Sequence, residues 1–203
     1  MSESGTSAGS SAVEPQAVLD FWFGAPGSAE FAMQRKAWFT KDAEFDRRIA
    51  GLFGATIEQA LRGELAAWAA TAPGALARII VLDQFTRNAF RGVRRAFAGD
   101  AQALAAASAM VGSRQDELLP AFMRAFVYMP FEHAEGMAMQ DEAVRLFTRL
   151  DAAAPELAHM LDYANRHRLV IERFGRFPHR NASLGRQSTA EERAYIATPG
   201  SAF

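Results

Sequence analysis

Apolar residues recur at three- and four-residue spacing along most of this chain, and no segment sustains strict alternation, so the pattern predicts helices and no sheet. The cleanest run leads from an Asp42 cap through Phe45, Ile49, Leu52, Phe53, Ile57, Ala60 and Leu61 to Gly63. Before it, Pro15 opens a helix with Val18, Leu19, Trp22 and Phe23 on its apolar face, and Gly24 ends it. Residues 31–38 read as a short helix. Further helices are predicted over residues 74–90, closing at Gly92, and from an Asp100 cap to Gly112. Another runs from Pro120 to about Leu150, with a break or kink at Pro130. A helix through Leu157, Leu161, Ala164, Ile171 and Phe174 ends at Gly175, and Ser188-Thr189-Ala190-Glu191 resembles a capping box opening a last one. Seven to nine helices with short connections predict an all-α fold of antiparallel hairpins stacked as a superhelix, without a visible 34-residue repeat.

At 203 residues and 50% hydrophobic, the chain can bury a full core, so residues 15–203 are expected to form one helical domain. Residues 1–14 are Ser/Gly/Ala-rich, lack the basic and apolar regions of a signal peptide, and read as a disordered leader. No apolar run reaches the roughly 18 residues of a membrane span. Cysteine is absent, which rules out disulfides and thiolate metal sites and fits a reducing compartment; a cytoplasmic location is expected. The net charge of −1 argues against generalised attraction to nucleic acid or membrane. Arg87, Arg91, Arg94 and Arg95 form the one cluster that would favour nucleic acid, but no extended basic groove with exposed aromatics accompanies it.

Candidate chemistry concentrates in Phe174-Gly175-Arg176-Phe177-Pro178-His179-Arg180-Asn181, with Leu184-Gly185-Arg186 and Ser188-Thr189 behind it. Arg173, Arg176, Arg180 and Arg186 lie there with no carboxylate among them. Two readings stand side by side. In one the loop docks, with Phe174 and Phe177 in the core and the arginines on carbonyls or on Asp83, Glu132 and Glu135. In the other, Arg176, His179, Arg180, Asn181 and Arg186 converge on an anion.

Asp83, Arg87 and Arg91 share a helical face with Asn88 alongside. They are either an ion pair on a solvated edge or the rim of a polar cleft holding carboxylate or phosphate. Glu132, His133 and Glu135 follow Pro130 and so are expected in a helix first turn, where carboxylates cap free N–H groups. His133 is alternatively an acid/base group oriented by a carboxylate from another helix. His167, one turn before the Phe174 block, joins the candidate site. Four His at these spacings give no metal-ligand pattern, and neither metal nor cofactor is expected.

Three blocks are familiar in combination: Leu82-Asp83-Gln84-Phe85-Thr86-Arg87-Asn88-Ala89-Phe90-Arg91-Gly92, Tyr128-Met129-Pro130-Phe131-Glu132-His133-Ala134-Glu135, and the Phe174 block with its tail. Together with Leu19-Asp20-Phe21-Trp22-Phe23-Gly24 they resemble domain-of-unknown-function family 924, a bacterial family. The resemblance implies a tetratricopeptide-like α-superhelical fold and no activity. Thr86 stands where that family usually has Pro, and Gly136 and Met139 where acids are common. The expected function is a helical binding or scaffold protein whose Arg/His-lined cleft takes a small anion or an acidic peptide. The alternative is an enzyme on a small anionic metabolite, with His133 or His179 as acid/base. The oligomeric state is left open.

Overall fold

The computed structural model describes residues 13–201 apart from 32, 34 and 39. Most of the expected leader, residues 1–12, lies outside the described residues, while Val13 already packs on the core. Among the described residues the fold is all-α, without strands.

Helix α1 (Pro15–Phe23) ends at Gly24, whose φ of 84° is in the left-handed region that favours glycine. Helix α2 (Ala43–Leu61) starts where Asp42 accepts from the N–H groups of Glu44 and Phe45, at 2.9 and 3.1 Å. Of the helix expected over 31–38, the described residues form a 3₁₀ turn, Lys36–Trp38, while 32 and 34 lie outside them. Donors in and beside it serve α1 instead: Trp38 Nε1 donates to the Trp22 carbonyl at 3.0 Å, and Arg35 donates to the carbonyls of Phe21 and Trp22. Those bonds satisfy the open end of α1 and hold this connection in place.

An aromatic cluster then fixes the next segment. Phe85 is fully buried, tilted on Phe53 at 4.8 Å between centroids and edge-on to Trp22 at 5.7 Å. Helix α3 (Ala72–Ile80) does not continue as one α-helix to Phe90. It widens into a π turn, Val81–Phe85, before α4 (Thr86–Ala89). Every residue of the π turn is buried, so Phe85 and Asp83 both face inward. Side chains serve two of its carbonyls: Thr86 Oγ1 donates to Leu82 at 2.7 Å and Arg87 to Asp83 at 2.6 Å.

Helix α5 (Asp100–Gly112) begins directly against this turn. A Cβ on Gly99 would overlap the Leu82 carbonyl, so glycine there is a condition of the close approach. Asp100 is not the cap the sequence suggested: it is the first helical residue, makes no capping bond, and turns its carboxylate to two arginines.

Helix α6 (Ala121–Glu132) carries Pro130 within its last turn without breaking there. The chain turns three residues later, where the buried Gln140 amide donates to the carbonyls of Glu132 and Ala134 at 2.7 and 2.8 Å. Helices α7 (Met137–Ala153) and α8 (Ala158–Phe174) follow, and Gly175 closes α8 at φ 68°. The tail forms a 3₁₀ turn (Pro178–Arg180), α9 (Asn181–Leu184) and α10 (Ala190–Ile196). Its capping box is Thr189 with Glu192, one residue later than the sequence pattern suggested. Ser188 is occupied by Asn181, and Glu191 by Arg173.

The main apolar core extends from Val18 to Ala164, and a smaller one gathers Val170, Ile171 and Phe177. Two glycine substitutions separate close approach from helix propensity. Gly99→Ala should lower unfolding free energy by about 1–3 kcal/mol through overpacking. Gly51→Ala, mid-helix and with open space around its Cβ, should raise it by about 0.5–1 kcal/mol. Urea titrations read both, and a Gly99→Ala protein as stable as the parent would remove the steric argument.

Candidate functional site

Asp83 is 1% exposed and has three side-chain partners. One oxygen accepts from Arg87 Nη1 at 2.9 Å and meets His133 Nδ1 at 2.8 Å; the other accepts from Gln84 Nε2 at 2.6 Å. Burial alone would raise its pKa, but Arg87 and His133 overcome that and hold the carboxyl well below the usual range. An ionised Asp83 can only accept, so His133 Nδ1 carries the proton. Burial and the Arg87 charge lower the pKa of His133 despite Asp83, which keeps the imidazole neutral and leaves a lone pair on Nε2. The i,i+4 spacing of Asp83 and Arg87 is therefore not a solvated-edge ion pair.

Arg87 reaches on to Asp100, at 3.1 Å, and Arg180 takes the same carboxylate at 3.2 Å. Arg180 is 6% exposed, and its guanidinium lies over Phe177 at 4.5 Å and Phe97 at 4.9 Å. Its Nε is buried without a hydrogen-bond partner among the described residues. Burial and the neighbouring Arg87 charge pull its pKa down to about 10. Beside it, burial and then Arg180 hold His179 down to about 3, so this ring too is neutral.

Glu132 corrects the expected first-turn placement. It is the last residue of α6, at the helix end whose dipole disfavours a carboxylate. His167 of α8 compensates, with Nδ1 2.8 Å from Glu132 Oε1. His133 and Glu135 also lie at or past this end, in the turn before α7 rather than in a first turn. The rings of His133 and His167 are 6.2 Å apart, those of His167 and Phe177 5.5 Å, and those of Phe177 and His179 5.6 Å. Three of the chain's four histidines thus meet here, although no group of three or more His, Asp and Glu among the described residues is arranged to hold a metal ion.

Other candidates go elsewhere. Asn88 and Arg91 bind Asp46 of α2 at 2.7 Å each, away from the cluster. Arg95 pairs with Glu58 and Arg94 with the Leu184 carbonyl, so the second basic cluster is spent on internal partners. Arg176 binds Glu192 at 2.6 Å, and Asn181 bonds Ser188 and Glu192. Arg186 forks onto Glu135, which also accepts from the Phe177 N–H at 2.8 Å. Those contacts dock the loop. Phe177 enters the small core, while Phe174 is only partly buried, against Tyr195.

Sequence reasoning missed Asp100 and Phe97. The one available signal for Asp100 is that it is the first acid after the four arginines at 87, 91, 94 and 95. Glu192 and Asp46, which take Arg176 and Arg91, also stand outside the residues that the sequence singled out. What gathers, then, is a neutral imidazole oriented by a buried carboxylate, beside two guanidinium groups sharing one further carboxylate. That set can accept a proton at Nε2 and bind negative charge.

The model of a family described as bacterial protein of unknown function (DUF924) matches residues 18–200. Among solved structures, a protein of unknown function from Agrobacterium tumefaciens is 37% identical to this chain with a TM-score of 0.77. The match covers 90% of this chain and 96% of that one. No curated protein matches the chain.

The buried histidines make stability pH-dependent above the carboxylate range. Since the folded values of His133 and His179 are lowered, the unfolded chain binds protons first. Their contribution is complete above about pH 6.5 and is lost as pH falls toward the folded value, about 3 for His179. Urea stability should decline from pH 7 to 5, each histidine adding up to about 1.4 kcal/mol per pH unit. Asp83, Glu135 and Glu192, all lowered, act in the same direction only below about pH 4.5. His179→Gln should flatten the upper window by one proton's slope; an unchanged slope would mean that His179 protonates freely in the fold.

Proposed function

The chain belongs to the DUF924 family of bacterial proteins of unknown function, and from that premise we propose that it binds a small anion between Arg87, Arg180 and His133. The observation that carries this reading is Arg180. A guanidinium this buried ordinarily spends its donors on carboxylates or carbonyls. This one has a single, long bond to Asp100, shared with Arg87, and a buried Nε without a partner among the described residues. An incoming carboxylate or phosphate oxygen would supply the missing acceptor.

The same contacts favour a small ligand over an acidic peptide. The outer arginines that would grip a peptide, Arg176 and Arg186, already hold Glu192 and Glu135.

A second reading, acid/base catalysis on the bound anion, is favoured by the Asp83–His133 pair. Asp83 fixes the tautomer and the ring, and Nε2 is the proton acceptor. Arg87 and Arg180 would position the substrate against it. His179, the other acid/base candidate, is held neutral chiefly by burial.

Thermal melts across phosphate and small mono- and dicarboxylates test both readings. A fitting anion at a hundredfold excess over its Kd should add about 2.7 kcal/mol, a rise of roughly 5–10 °C for this size. Arg180→Gln should abolish the rise. No response to any anion, or an equal response in Arg180→Gln, would sink the binding reading. For catalysis, His133→Gln should lower turnover of the responding anion by about 10²–10⁴-fold, well beyond any loss of thermal response.

A further inference from the structure

A concavity lies between α3, α5 and the 3₁₀ turn Ala66–Ala70, and none of its lining residues belongs to the Arg180 cluster. Its volume is about 340 Å³, at the small end of the range in which ligand pockets fall. Five alanines and Met110 form most of the lining, and the polar contributions come from Arg78, Gln102, Ser113 and Gln115. None of the lining residues is acidic. The groove has a structural cause. Gly74 lets α3 approach the carbonyl of Trp68, where a Cβ would overlap, which sets the turn's wall close to α3. Alanines on the facing side of α5 then leave open the space that larger side chains would fill.

Arg78 is the informative residue. It is partly buried, its Nε is wholly buried, and that nitrogen has no hydrogen-bond partner among the described residues. Arg87, Arg91, Arg95, Arg176 and Arg186 each have a carboxylate, yet no ion pair to Arg78 occurs among the described residues. A cation held against an alanine surface with no acid beside it calls for an anion whose remainder is apolar. We propose that this groove is a binding site for a small apolar carboxylate: its head group on the Arg78 guanidinium, with Gln115 as a neutral donor, and its hydrocarbon part against the alanines and Met110. This site is separate from the Arg180 cluster and stands whether or not that cluster binds anything.

Isothermal titration of the full chain with octanoate, octanol and acetate is the test. Octanoate should bind, and acetate and octanol should each bind at least tenfold more weakly, because each lacks one half of the match. Arg78→Gln should weaken octanoate by roughly ten- to a hundredfold, the worth of one charge-assisted hydrogen bond. The same change should leave the melting temperature of the free protein unlowered, since no pair is broken. Arg180→Gln should leave octanoate binding intact. Ala109→Phe fills the groove from an exposed position and should block binding in a folded protein. The proposal is overturned if octanoate fails to bind at millimolar concentration, if octanol binds as well, or if Arg180→Gln rather than Arg78→Gln removes binding. It also fails if Ala109→Phe changes the sedimentation of the protein instead of octanoate binding, which would make the groove an interface between copies of the chain.

Discussion

The burial of Asp83 is the constraint on which the arrangement depends. Removing a carboxylate from water costs several kcal/mol unless its oxygens are filled and a cation stands beside it. Here the compensation comes from three places: Gln84 next in sequence, Arg87 one turn on, and His133 fifty residues later. The π turn makes this possible, because in its wider backbone Asp83 and Phe85 are buried together, the carboxylate toward His133 and the ring toward Trp22 and Phe53. Wide turns of this kind recur at functional positions in helices. The aromatic core is thus a mechanical support for a charge.

From that charge the rest follows by succession. Arg87, fixed by Asp83, carries a cation to Asp100, and Gly99 allows Asp100 to come that close. Asp100 then receives Arg180, whose flat guanidinium is held between two rings. Two guanidinium groups converge on Asp100, yet the geometry leaves one polar atom on each side, Arg180 Nε and Asp100 Oδ1, without a hydrogen bond among the described residues. By contrast, the outer contacts of the same loop are complete, and their function is to hold the loop in position.

The helices were legible in the sequence because apolar spacing and end signals are local. Asp42, Gly24 and Gly175 act where they stand, whatever the remainder of the chain does. The convergence of the Asp83, His133 and Arg180 segments was legible in outline, through the need of a basic loop for acids. Individual partners were not. Asp100 looks like any helix-opening acid, and only Gly99 against Leu82 converts it into a bridge. Pro130 gave a misleading stop signal, because α6 ends where the distant Gln140 can take its carbonyls. The π turn has no sequence mark at all: its residues follow a helical period, and the widening answers to Phe85 and Arg87 in three dimensions. Glu132 was placed at the wrong end of a helix because Pro130 signalled a break that α6 does not make.

Arg180 follows Asp100 by eighty residues and Arg186 follows Glu135 by fifty-one. Loops this long lose entropy on closing before their contacts return any of it, so contacts of this separation slow folding. Until the last loop docks, Asp100 has one arginine instead of two. The pairs that gather this cluster are, by their separation in the chain, among those that set the pace at which the fold is reached.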